Sequence, residues 1–124
     1  MIKIINLILG GALGTVTRHL ISNATHKVLG INFPYGTFVV NILGCFIAGF
    51  LISLAEKKFS LDQNTRILIM TGFCGAFTTF STFIFETSNL MKDGQLLKVF
   101  LNIFLSILIG FIGFRAGGCL AEAI

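Results

Sequence analysis

Residues 72–86 read GFCGAFTTFSTFIFE. Thr78, Thr79, Ser81 and Thr82 put hydroxyls at four of five successive positions in an otherwise apolar run, just downstream of Gly72 and Gly75. Hydroxyl side chains compete for backbone hydrogen bonds and glycine lowers helix propensity, so a helix interruption is expected here. Phe77, Phe80 and Phe83 recur at three-residue spacing, which on a continuous helix makes a stripe along one face. Such a stripe commonly packs a core. A phenyl ring also has a positive edge, and ring edges beside hydroxyl donors form a surface that accepts a small anion without a formal charge. A full positive charge at the same place would hold the anion too tightly for passage.

Other polar groups fall inside apolar runs. Asn41, in GTFVVNILGCF, carries an amide whose two donors are expensive to leave unpaired away from water. It reads either as glue between helices or as a donor lining a pore. Asn102 and Ser106, four residues apart and so on one face, carry the same two readings. Cys45, Cys74 and Cys119 fall one per apolar run with no C-x-x-C pair, and are expected to be buried, inert thiols. His19 and His26 have no metal-ligating neighbour at useful spacing. No nucleotide motif or catalytic constellation appears, so the protein is not expected to be an enzyme.

The elements that must hold these groups follow from composition. The chain has 124 residues, 55% hydrophobic and only 11% charged, with mean hydropathy +0.94. Those values exclude an ordinary soluble domain. A bilayer core about 30 Å thick takes roughly 20 apolar residues per helix, which leaves room for four spans. Apolar stretches run at about 4–21, 37–54, 67–91 and 97–120, separated by polar or turn residues, and together form a single transmembrane domain over 1–124. The first resembles a secretory leader, but glycines interrupt it and no small-residue cleavage site ends it, so it reads as a retained span. The fold expected is all-α, with four transmembrane helices and the third broken at mid-membrane. Irregular backbone at that depth is tolerated only where it is buried in protein or lines a polar cavity.

Charge speaks to orientation. With four spans, Lys3, Lys57, Lys58, Arg66 and Arg115 collect on the side of the termini and Arg18, Lys27, Lys92 and Lys98 on the other. Five against four is almost no bias. Such a chain is expected to insert both ways up, and opposite copies are expected to pair as an antiparallel homodimer.

Three segments carry a family resemblance. GFCGAFTTFSTFIFE resembles the third-helix signature of the Fluc (CrcB) family of fluoride channels, and GGALGTVTRH and GTFVVNILGCFIAGF resemble its first- and second-helix signatures, in order and at the right spacing. The resemblance implies a dual-topology homodimer of four-helix subunits in the cell's inner (plasma) membrane, two antiparallel fluoride pores and a central structural sodium ion. It implies that Phe80 and Phe83 present ring edges to fluoride, that Asn41 is the pore-lining amide, and that Ser81 and Thr82 are the adjoining hydroxyls. Main-chain carbonyls of Gly75 and Thr78 from both subunits would hold sodium. Arg18 and Glu86 would belong to the vestibule. The match is weaker in the fourth helix, where Asn102 and Ser106 stand in for the family's small hydroxyl residues.

Function follows as passive export of cytoplasmic fluoride, with donors and ring edges replacing the ion's water. Two other classes compete. A small dual-topology multidrug exporter would need a carboxylate in the first span, and none is present. A non-conducting membrane assembly subunit would use Asn41 and Phe80 only for packing.

Overall fold

The computed structural model describes residues 1–57 and 60–124; Lys58, counted in the charge balance, lies outside them. Among the described residues seven helical pieces follow one another: α1 (Ile2–Leu29), α2 (Tyr35–Lys57), α3 (Gln63–Arg66), a π-helical segment (Ile67–Cys74), α4 (Gly75–Phe77), α5 (Ser81–Lys92) and α6 (Leu96–Ala123). α1, α2, the composite third helix Gln63–Lys92 and α6 are each long and apolar enough to cross a membrane. The protein is therefore an all-helical, multi-pass membrane protein.

The helices outrun the apolar stretches. At about 1.5 Å per residue, the 28 residues of α1 extend about 42 Å, beyond a bilayer core of about 30 Å. Nothing between Ser22 and Lys27 breaks a helix, so the first helix continues into the polar interface. It stops at Gly30, whose positive φ of 85° favours glycine and whose N–H bonds the His26 carbonyl at 2.9 Å.

Packing pairs α1 with the π-helical segment and α2 with α6. In lipid, close approach of small residues replaces the hydrophobic drive. A Cβ on Gly10 would run into the Leu68 carbonyl oxygen and meet the Phe73 nitrogen at 2.9 Å, so α1 lies directly against the third helix's backbone. Gly49 and Gly117 play the same part between α2 and α6, where an added Cβ would strike the carbonyls of Phe114 and Phe46. Lys57 and Glu122 pair at 3.0 Å where these two helices end.

Two expectations need correction. Phe77 does not share a stripe with Phe80 and Phe83: it is 1% exposed, stacked on Phe73 at 5.6 Å, whereas Phe80 is 74% exposed. Residues 78–80 are not helical, so the three-residue spacing no longer keeps the rings on one face. Of the cysteines only Cys74 is buried; Cys45 is half-buried and Cys119 exposed. A thiol is apolar enough to face lipid.

Candidate functional site

The third helix breaks where the hydroxyl run predicts. Thr78 leaves α4 in an extended conformation (φ −87°, ψ 159°) and regular helix resumes at Ser81. Side chains take over the hydrogen bonds that the break removes. In an unbroken helix the Thr79 N–H would bond the Gly75 carbonyl; instead it donates to Asn41 Oδ1 at 2.8 Å, while Asn41 Nδ2 donates to the Thr79 carbonyl at 2.9 Å. One amide thus satisfies both backbone groups of one residue. The Thr82 N–H, which would bond Thr78, donates to Thr79 Oγ1 at 3.3 Å, so Thr79 satisfies one of the unpaired N–H groups in the first turn of α5. Arg18 Nη1 points its charge at the Thr78 carbonyl, 3.5 Å away.

Two cavities of about 290 Å³ each flank this point. One is polar, lined by Thr15, Arg18, Ser22, Thr37, Thr79 and Thr82. The other is more apolar, lined by Asn41, Cys45, Thr79, Phe80, Phe83 and Ser106. Thr79 lines both, and Asn41 braces it. Phe80 and Phe83 face each other with ring centroids 5.9 Å apart. The Ser106 hydroxyl is buried beside them without a hydrogen-bond partner among the described residues. Since buried polar groups are nearly always paired, a free hydroxyl on a cavity wall is a donor available to a guest.

The remaining expected residues lie apart from this pair of cavities. Ser81 is exposed at the start of α5. Asn102, 1% exposed, donates to Thr87 Oγ1 at 2.9 Å and so ties α6 to α5. Glu86 lines a third cavity, of about 330 Å³, with His26, Asn89, Asp93 and Lys98, and one of its carboxylate oxygens is buried without a partner among the described residues. Arg18 and Glu86 therefore belong to different cavities. Gly75 is exposed, and the one neighbour within 4 Å of an added Cβ is Met70 O, at 3.9 Å and five residues back in the same composite helix. Thr37 and Thr79 line the site although the sequence alone does not assign them to it. Thr79 carried a signal in its hydroxyl run, but nothing in the sequence distinguishes Thr37 from an interfacial threonine.

Residues 5–118 match the family described as CrcB-like protein, Camphor Resistance (CrcB). The chain belongs to the CrcB-like family. Its curated relatives include a protein of Dehalococcoides mccartyi, 44% identical over 124 residues that cover 97% of this chain and 95% of the relative. One from Maridesulfovibrio salexigens is 44% identical over 111 residues, covering 90% and 88%. A third, from Solidesulfovibrio magneticus, is 43% identical over 116 residues, covering 94% and 93%. Each is named a fluoride-specific ion channel FluC. The match of this CrcB-like chain runs from α1 to α6 and includes every residue of the two flanking cavities.

Proposed function

We propose that the protein is a fluoride-selective passive channel that exports cytoplasmic fluoride across the inner (plasma) membrane. The observation that carries this reading is the pair of cavities meeting at Thr79. A hydrated anion gathers in the polar cavity, attracted by the Arg18 guanidinium and the hydroxyls of Thr37 and Thr82. Passing Thr79 and Asn41, it exchanges water for the second Asn41 N–H, the free Ser106 hydroxyl and the edges of Phe80 and Phe83. Such ligands carry no full charge, so they replace hydration without trapping the ion. Chloride, larger, is rejected by width. Transport is passive and no bond is made or broken. Ser81, Asn102 and Glu86 enter this reading differently: Ser81 at the outer rim, Asn102 as a brace for α5 and Glu86 in the vestibule beyond.

The functional unit is an antiparallel homodimer with one central sodium ion. Phe80 lines its cavity while 74% exposed in the single chain, so one wall of the passage requires a second copy. The near balance of flanking charge supports opposite orientations of the two copies. For sodium, the break supplies suitable donors: the Gly75 and Thr78 carbonyls have lost their helical N–H partners to Asn41 and Thr79. Main-chain oxygens from a broken helix are the hard ligands that alkali cations favour. When bound, sodium supplies positive charge that ties the two breaks together.

The test is efflux from liposomes containing the purified protein, fluoride against chloride. Rapid fluoride release without chloride release supports the channel; no release from well-folded protein overturns it.

A further inference from the structure

Arg18 touches both halves of the channel reading, the anion's cavity and a carbonyl of the break. Among the described residues the one ion pair joins Lys57 and Glu122, so no carboxylate balances this guanidinium. Arg18 is half-buried on the wall of the polar cavity, and its one hydrogen bond runs to the Thr78 carbonyl at 3.5 Å. That distance exceeds the usual 2.7–3.2 Å, roughly, of an N–H···O bond, so the contact is weak and easily released. Yet Thr78 is also one of the two carbonyls offered to sodium. Two cations cannot share one carbonyl oxygen at mid-membrane without strong repulsion.

We propose that Arg18 couples the two ions: an anion in the polar cavity draws the guanidinium away from the Thr78 carbonyl and leaves that oxygen to the cation. The inference rests on the sodium reading of the break and goes beyond it, by making cation affinity depend on what the cavity holds. Without an anion the guanidinium neutralises the carbonyl dipole and opposes the cation. With one, the guanidinium's charge is satisfied elsewhere. Thermodynamic linkage makes the effect reciprocal, so the cation also strengthens anion binding near Arg18.

The experiment reads stability instead of flux. Thermal unfolding of the purified full chain is followed while sodium gluconate is titrated, with N-methyl-D-glucamine holding ionic strength constant, in fixed fluoride or with the bulky gluconate as the only anion. For the wild type, the sodium concentration giving half-maximal stabilisation is expected to be at least about five-fold lower in fluoride, the lower end of ordinary coupling between sites. In Arg18→Gln the competitor is gone, so the half-maximal concentration is expected to be low in both anions, with a ratio near one. A wild-type ratio near one alongside clear sodium stabilisation overturns the coupling and leaves the sodium site standing. Full linkage retained in Arg18→Gln overturns Arg18 as its carrier. No sodium response in either anion overturns the sodium reading and the coupling with it. If Arg18→Gln does not fold, Arg18→Lys, which keeps the charge on a compact ammonium without the guanidinium fork, takes its place, and an unchanged fluoride-to-gluconate ratio there overturns the guanidinium as the carrier.

Discussion

At the scale of single residues, the bond pattern separates groups that read alike in sequence. Asn41 and Asn102 are both lone amides in apolar helices, but Asn41 holds the two backbone groups of Thr79 and Asn102 holds a threonine hydroxyl. Asn41→Ala strands two backbone groups inside the protein, at about 1–3 kcal/mol each, and releases the wall between the two cavities. It is expected to lower the unfolding temperature and abolish fluoride efflux together. Asn102→Ala removes one buried bond, worth about 1 kcal/mol, from a residue that lines neither cavity. Thr87 keeps its own bond to the Phe83 carbonyl at 2.7 Å, so the helix it sits on stays in place. That variant should melt earlier and still conduct, an outcome checked by pairing calorimetry with liposome efflux. Ser106→Ala should do the reverse: its hydroxyl bonds nothing among the described residues, so stability should hold within about 0.5 kcal/mol while fluoride flux falls. Unchanged flux in Ser106→Ala would remove this hydroxyl from the pathway.

At the scale of elements, close backbone contact and capping set the helix positions, and neighbouring glycines offer a direct comparison. Gly10 has the third helix against it, whereas Gly11 has nothing within 4 Å of an added Cβ. Gly10→Ala forces α1 off the π-helical segment and is expected to destabilise by about 1–3 kcal/mol; Gly11→Ala should be neutral or slightly stabilising. Parallel thermal melts check the pair. Asp62 starts the composite helix, accepting the Asn64 N–H at 3.1 Å and the Thr65 hydroxyl. The Thr65 hydroxyl is the main reason that its carboxyl is held below the ordinary aspartate range. A lowered folded pKa means the cap contributes above the ordinary value and is lost as pH falls through the lowered one. The Asn64 and Thr65 amide resonances should therefore titrate with a midpoint below that of a free aspartate, and Asp62→Asn should remove the titration. Four apolar runs and the break at 78–80 were legible because composition and hydroxyl density act locally. The π-helical segment was not, since ILIMTGFC fits any continuous helix; it lies directly against Gly10 and Gly14 on α1, a contact between distant parts of the chain that no local pattern announces. Likewise, no spacing rule could assign Arg18 and Glu86 to separate cavities, because that depends on how α1 crosses the third helix.

At the scale of the whole molecule, the flanking charges decide which way up each copy enters. Arg18 reaches Thr78 near the middle of the Gln63–Lys92 helix, so it lies at membrane depth and does not act as a flanking charge. Removing it from the balance leaves five basic residues on the side of the termini and Lys27, Lys92 and Lys98 on the other. The difference of two is small enough for a few substitutions to reverse. Ser60→Arg with Gln63→Arg adds two charges to the side of the termini and should fix that side in the cytoplasm. Lys3→Gln and Arg66→Gln with Ile31→Arg and Asn32→Arg moves the excess across and should fix the opposite orientation. All six substituted positions lie away from the two cavities at the break, so each copy keeps its pore lining. If the passage needs an antiparallel partner to cover Phe80, either variant alone should insert in one orientation and lose most fluoride efflux. Co-expression of the two should restore it, because each then meets a partner of opposite hand. Site-specific labelling of the termini verifies the orientations. Full efflux from a population labelled on one face only would sink the antiparallel dimer while leaving the channel itself intact.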